Sequence, residues 1–276
     1  MRSELAIYDL ANGEVRSVLQ TDHLIEAPNW TPDGKFLIIN GDGHLFRVAL
    51  DTPAMVKIDT GFAVNCNNDH GLSPDGKNIV ISDQTEHGKS CIYILPINGG
   101  KPRKVTQLTP SYWHGWSPDG TTLAYCAQRN GIFDIYACSL ESGVETRLTD
   151  GNGHADGPDY TPDGKWIWFN TSRTGFTQLW RMKPDGSALE QMTSDERVNW
   201  FPHPSPDGAH VLYLAYETGV DGHPRDKSCE LRLMPAEGGA TRSLLKLFGG
   251  QGSINVPCWA PDSKRFAFVR YEPEKS

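Results

Sequence analysis

The stretch TPDGKWIWFNTSRTGFTQLWRMKPDG, residues 161–186, decides the fold. It opens on Thr161-Pro162-Asp163-Gly164, an order that suits a type I turn. A hydroxyl residue comes first, proline presets φ, aspartate tolerates the third place and glycine closes the turn. Lys165–Phe169 is then an apolar run suited to a strand packed on both faces. A polar hairpin, Ser172–Gly175, leads to a second apolar run at Gln178–Met182. A Pro-Asp-Gly turn follows, and then a third strand ending near Thr193. No stripe at helical spacing runs through the stretch, so it reads as short strands joined by hairpins.

The same turn recurs along the chain as TPDG, SPDG, SPDG, TPDG, SPDG and APDS, at 32–34, 74–76, 118–120, 162–164, 206–208 and 261–263. Its prolines are spaced 42, 44, 44, 44 and 55 residues apart. Strand-like copies surround each turn, among them TLAYCAQRNGIFDIYACSLESGVETRLT and NIVISDQTEHGKSCIYILPINGG. About four short strands per unit of ~40–45 residues is the signature of a β-propeller. The expected fold is therefore all-β: one six-bladed β-propeller domain over residues 1–276, with four-stranded antiparallel blades. The last repeat supplies Arg265–Pro273, and its missing strands match the N-terminus, where ELAIYDL resembles SCIYIL. Residues 1–20 are expected to complete the sixth blade and to hide the edges of an open ring.

The motifs also carry a resemblance. The S-P-D-G-K turn, the S-R-x-G hairpin at Ser172–Gly175 and the I-Y or L-W pair of the third strand resemble the TolB-type six-bladed propellers over essentially the whole chain. A weaker similarity links the chain to oligogalacturonate lyases, which hold a metal through several histidines of their propeller. The resemblance implies the fold. It does not fix a function, because propellers of this type serve several.

Composition narrows the partners. The chain has 26 Lys+Arg against 34 Asp+Glu, a formal charge of −8, and no basic run, which argues against nucleic acid. No apolar run approaches the roughly 18 residues of a membrane helix. MRSELAIYDL has no secretory h-region, so the expected location is cytoplasmic, or periplasmic if the sequence has been trimmed. Six cysteines without a C-x-x-C pair read as buried free thiols, in keeping with a reducing compartment.

In such a blade the PDG turns join the first and second strands on one face of the disc. The opposite pole collects the segments entering each first strand and the second-to-third-strand hairpins. The six residues at −8 to −3 before each turn proline are LIEAPN, CNNDHG, PSYWHG, HADGPD, VNWFPH and SINVPC. These windows hold Glu26, Asn67, Asn68, Asp69, His70, Tyr112, Trp113, His114, His154, Asp156, Asn199, Trp200, Phe201, His203 and Asn255, with four of the nine histidines. Propellers bind ligands near this axis. Aromatics beside amides and carboxylates suit a sugar. Histidines with carboxylates suit a divalent metal ion, with His70, His114, His154 and His203 as the candidate ligands. The opposing reading makes these histidines hydrogen-bonding spacers between blades.

Further candidates flank the pole. Arg129 and Arg173 occupy equivalent hairpin sites and are placed to clamp a carboxylate, or else are solvated hairpin residues. The fifth repeat is the long one, and its excess, Tyr216–Glu230, brings Glu217, Asp221, His223, Arg225 and Asp226. Phe248–Val256 brings Gln251 toward the same pole. Asp150–Asp159 fails the EF-hand pattern, and neither G-x-S-x-G nor H-E-x-x-H occurs. Two functions follow. The first is a binding module for a protein, peptide or carbohydrate ligand at the pole. The alternative is a metal-assisted lyase or hydrolase on a sugar-derived substrate.

Overall fold

In the computed structural model, which describes residues 2–273, six antiparallel sheets stand around a central axis as the blades of a propeller. Blade I runs through Glu26–Trp30, Phe36–Gly41, His44–Ala49 and Met55–Lys57 from the axis outward. The inner strands of blades II to V are Cys66–Leu72, Ser111–Trp116, Ala155–Tyr160 and Val198–Pro204. The expected second run of the opening stretch is the strand Gln178–Met182, while the first begins two residues late, at Ile167–Thr171.

Blade VI closes the ring as the sequence repeat requires. Arg2–Asp9 pairs with Arg265–Glu272 from Arg2↔Glu272 to Asp9↔Arg265, and Val15–Thr21 forms the outer edge. Its innermost strand is reduced to the single bridge Trp259↔Phe266, extended by bonds from Ala267 N to Cys258 O and from Ala260 N to Arg265 O.

The second strands are apolar at consecutive positions, as in Leu37-Ile38-Ile39 and Ile79-Val80-Ile81, all fully buried. Alternate side chains point to opposite faces, so each blade is covered on both sides by its neighbours. One core cluster joins Val80 and Ile92 of blade II to Trp113, Leu123 and Tyr125 of blade III. Polar clasps reinforce these contacts. Ser82 Oγ accepts from Trp113 N, Asn170 Oδ1 accepts from Phe201 N, and the Cys126 thiol donates to Ala155 O. All six cysteines are free and buried.

Every inner strand of blades I to V carries a register shift midway along it. In three of them the shift contains a left-handed residue followed by proline: Ala27 (φ 57), Gly157 (φ 61) and Phe201 (φ 55). Such bulges re-aim the neighbouring side chain. Here the residue before each is Glu26, Asp156 or Trp200. Left-handed backbone at a bulky phenylalanine is strained by roughly 1–3 kcal/mol. Phe201 lies on the wall of the pocket described next.

Candidate functional site

At the pole away from the PDG turns, the blades enclose a pocket of about 230 Å³. Its floor is Asp69, His114 and Asp156, its wall includes His154, His223 and Gln251, and Tyr112, Phe133, Phe201 and Cys126 complete it. A larger depression of about 700 Å³ opens between blades II and III at the turn face, around Asp75, Lys101, Arg103, Trp116 and Asp119. The polar pocket is the better candidate despite its size, because three buried ionisable groups, Asp69, His114 and Asp156, converge in its lining.

The floor is an aspartate–histidine–aspartate array. His114 donates from Nε2 to Asp156 Oδ1 at 3.1 Å, with Asp69 Oδ1 at 3.9 Å, and from Nδ1 to Asn255 O at 3.1 Å. Burial opposes charging of its ring, but Asp156 and Asp69 outweigh burial and push it up to about 9. Asp156 is likewise buried, yet its histidine neighbours, His114 first, hold its carboxyl well below the usual range. Asp69 goes the other way. Burial, with repulsion from Asp156, raises it to about 6 although His114 and the amides of Asn255 and Asn67 stabilise its charge. The floor therefore holds one ionised carboxylate, an imidazolium and a second carboxyl that titrates near neutrality.

Above this floor the donors stop pairing. Asp156 Oδ1 is occupied by His114 and by Gly157 N at 2.8 Å. Its Oδ2 faces His223 Nε2 at 3.6 Å and His154 Nε2 at 3.9 Å, both beyond hydrogen-bond reach. His154 Nε2 is buried without a partner. Cys126, His154 and Asp156 form a group whose ligand atoms all lie within 4.8 Å of one another.

His223 comes from the fifth-repeat insertion, which folds over the pole. Tyr216 Oη and Gln251 N both donate to Pro224 O, at 2.7 and 3.2 Å. Arg225 of the same loop lies near Glu26. Burial raises Glu26 to about 7 against the attraction of Arg225 and a hydrogen bond from Asn68. Gly252 packs directly on this carboxylate, where a Cβ would sit 2.5 Å from Oε1.

Of the residues expected at the pole, Asp69, Tyr112, His114, His154, Asp156 and Gln251 line the pocket, and His223 joins them from the insertion. Trp200 backs it, edge-on to His154 and His223 at ring-centroid distances of 5.9 and 4.5 Å. Glu26, Asn68 and Asn255 sit beside it, with Asn255 Nδ2 donating to Asn68 O. Trp113 is instead buried in the core between blades II and III. Asn199 is spent on Gln178, Thr193 and Asp195.

The two arginines have internal partners. Arg129 pairs with Glu145 and donates to Pro110 O and Ser111 Oγ, while Arg173 pairs with Asp150 and covers Trp180. Glu217 pairs with Arg197 at 2.6 Å, and Asp221 and Asp226 are exposed.

The four histidines do not form one ligand set. Only His154 belongs to a cluster with ligating distances among the described residues. His203 is occupied by Asp159 and Ile254 O, and His70 is fully buried with both ring nitrogens unpartnered, held down to about 3 by burial. The reason is depth. His154 stands eight residues before its turn proline, His70 and His114 four, and His203 three. At about 3.3 Å per strand residue that spreads them over roughly 16 Å. Cys126 and Phe133 were not legible as site residues. Cys126 lies in a second strand and pairs with Tyr112, so only cross-strand register reveals its neighbourhood.

The fold and this site define a six-bladed propeller of the TolB type. The model of the TolB β-propeller domain matches residues 109–223. An uncharacterised protein of Agrobacterium fabrum is 53% identical over 99% of this chain and 94% of its own length. A solved structure from Agrobacterium tumefaciens, described as TolB, superposes with a TM-score of 0.97 at 53% identity, covering 99% of both chains. The Tol-Pal system protein TolB of Francisella tularensis is 27% identical over 94% of this chain, which spans 59% of that protein's length. An oligogalacturonate lyase in complex with manganese shares the fold, with a TM-score of 0.61 at 16% identity over 90% of this chain and 74% of its own. The chain belongs to the TolB-like β-propeller family.

Proposed function

We propose that this propeller is a binding module whose pole takes a segment of a protein or peptide, with a side chain entering the pocket. The observation that carries this reading is the make-up of the pole. Of the seven large apolar side chains left exposed among the described residues, four, Val64, Leu108, Ile132 and Phe176, lie on or at the ends of connections of this face, which also carries the polar pocket. An apolar rim around a recessed polar centre is the anatomy of a docking site rather than of an inert surface. The kinship with TolB of the Tol-Pal system supports a protein partner. A carbohydrate is the lesser fit, because Trp200 is buried behind the wall and not free to stack. The six free thiols suit a reducing compartment.

The test is a displayed random-peptide selection on the full chain, with affinities of enriched peptides then measured by fluorescence anisotropy. Phe133→Ala and Phe176→Ala are expected to weaken binding about tenfold each, and Arg103→Ala at the turn face to leave it unchanged. Peptides that bind all three variants alike would place the docking site elsewhere.

One observation favours the second reading, a metal-assisted lyase or hydrolase on a sugar-derived substrate. Asp69 titrates near 6 at the floor of the pocket, where a general acid or base would operate. Turnover of acidic oligosaccharides that is lost in Asp69→Asn would establish it.

A further inference from the structure

We propose that the pocket binds one divalent transition-metal ion of the zinc or cobalt type, held by Cys126 Sγ, His154 Nε2 and Asp156 Oδ2, with His223 Nε2 closing the site from the insertion loop. This names an occupant of the same pocket. It rests on that pocket being functional, but not on the identity of any peptide or sugar.

Spacing is the first argument. Two ligands about 2.1 Å from a tetrahedral ion sit about 3.4 Å apart, and a thiolate at about 2.3 Å stands slightly farther off. His223 and His154 approach the same oxygen at 3.6 and 3.9 Å. These separations are too long for hydrogen bonds and close to those of ligands sharing an ion. The second argument is the unmet nitrogen. His154 Nε2 is buried with no partner, although a buried imidazole nitrogen normally finds one. The ring is already fixed, stacked on Phe133 at 4.8 Å between centroids.

The third argument is the support around the aspartate. Its Oδ1 is held by His114 and by Gly157 N, leaving Oδ2 pointing at the two imidazoles. Outer hydrogen bonds that lock one carboxylate oxygen and present the other are how proteins orient metal ligands. The donor set also selects the ion. Two imidazoles, a thiol and one carboxylate oxygen favour zinc or cobalt over calcium or magnesium, which want oxygen shells. The site is split between blades III and IV, which supply Cys126, His154 and Asp156, and the insertion, which supplies His223. Metal binding would add a link between the insertion and these two blades.

The full-length protein, stripped with chelator and dialysed, would be titrated with cobalt(II) and followed by visible and near-ultraviolet absorption. One cobalt per chain is expected, bound at micromolar concentration or tighter, with tetrahedral ligand-field bands and a thiolate-to-cobalt charge-transfer band. Calcium at a hundredfold excess should not displace it. His154→Ala should weaken binding by more than the roughly 10–100-fold that a supporting residue is worth. Cys126→Ser should abolish the charge-transfer band. His223→Ala, on a connection outside the blade strands, should weaken binding about tenfold.

No cobalt uptake below millimolar, uptake unchanged by both histidine substitutions, a spectrum without the thiolate band, or displacement by calcium would each overturn the proposal. Peptide binding is scored separately. A chain that binds its selected peptides but no cobalt retains the docking function and loses the ion. One that binds cobalt but no peptide does the reverse.

Discussion

At the turn face five repeats make the same hydrogen bond, while at the pole six equivalent positions carry five different kinds of residue. Thr31, Ser73, Ser117, Thr161 and Ser205 each donate a hydroxyl to the aspartate two residues on, at 2.6–2.7 Å. The places six before each turn proline hold Glu26, Asn68, Tyr112, Asp156, Trp200 and Asn255. The first set follows directly on the inner strands of blades I to V, and the second lies near the opposite ends of those strands, with Asn255 on the segment leading into blade VI. The turn face therefore reports how the ring is built, and the pole reports what this ring is for. Repetition marks parts that answer only to the backbone, and divergence marks parts that face a ligand.

The comparison breaks most severely if closure is not what holds the ring. Removing residues 1–20 takes both outer strands from blade VI and leaves Arg265–Glu272 with an open edge. The expected result is a chain that aggregates or loses its cooperative melt in circular dichroism. A truncated chain melting like the intact one would show that five blades and a partial sixth suffice.

Gly71 comes next. A methyl there would lie inside the Trp113 ring, which is locked between blades II and III. Gly71→Ala should cost about 3 kcal/mol in urea unfolding, at the upper end of overpacking penalties. Gly120→Ala, at a turn with nothing near the added methyl, bears only left-handed strain and should cost about 1 kcal/mol. Equal losses would mean that the inner strand can shift to admit the methyl.

Glu26 sharpens the contrast through pH. Its carboxyl lies at about 7 in the folded chain against an ordinary 4.5, so between those values the folded protein keeps a proton that the unfolded chain has released. Stability should therefore fall as pH rises through that window and level off above it, by about 3 kcal/mol at most. Glu26→Gln should raise the melting temperature at pH 8 and change little at pH 4.5. A loss of stability at pH 8 would show that Arg225 anchors the carboxylate more strongly than burial penalises it.

The smallest effect belongs to the turns. Ser117→Ala removes one hydroxyl that serves Asp119 and accepts from Thr122 N, and should cost about 1 kcal/mol with peptide affinity unchanged. An altered affinity would mean that the two faces are coupled.

Much of the ring could be read from the chain alone. Six PDG-type turns at a near-constant period, apolar runs after each and an N-terminus shaped like a missing strand pair all reflect local chemistry: turn preference, strand period and unpaired edges. The pole as a region was legible for the same reason, since topology puts every segment before a first strand on one face. Asp69, His114, His154 and Asp156 were found that way. What tertiary structure alone decided was which of those side chains meet. His203 stands nearer the turns than His114 and His154, and His70, at the same offset as His114, is buried with both ring nitrogens unpartnered. Trp113 turns into a seam between blades. Cys126 and Phe133 reach the pocket from strands outside the windows, and His223 arrives from an insertion whose path the repeat does not specify. Sequence period sets the height and order of strands, whereas bulges, inter-blade packing and loop folding set where a side chain ends, and the chemistry of the pocket depends on those last few ångströms.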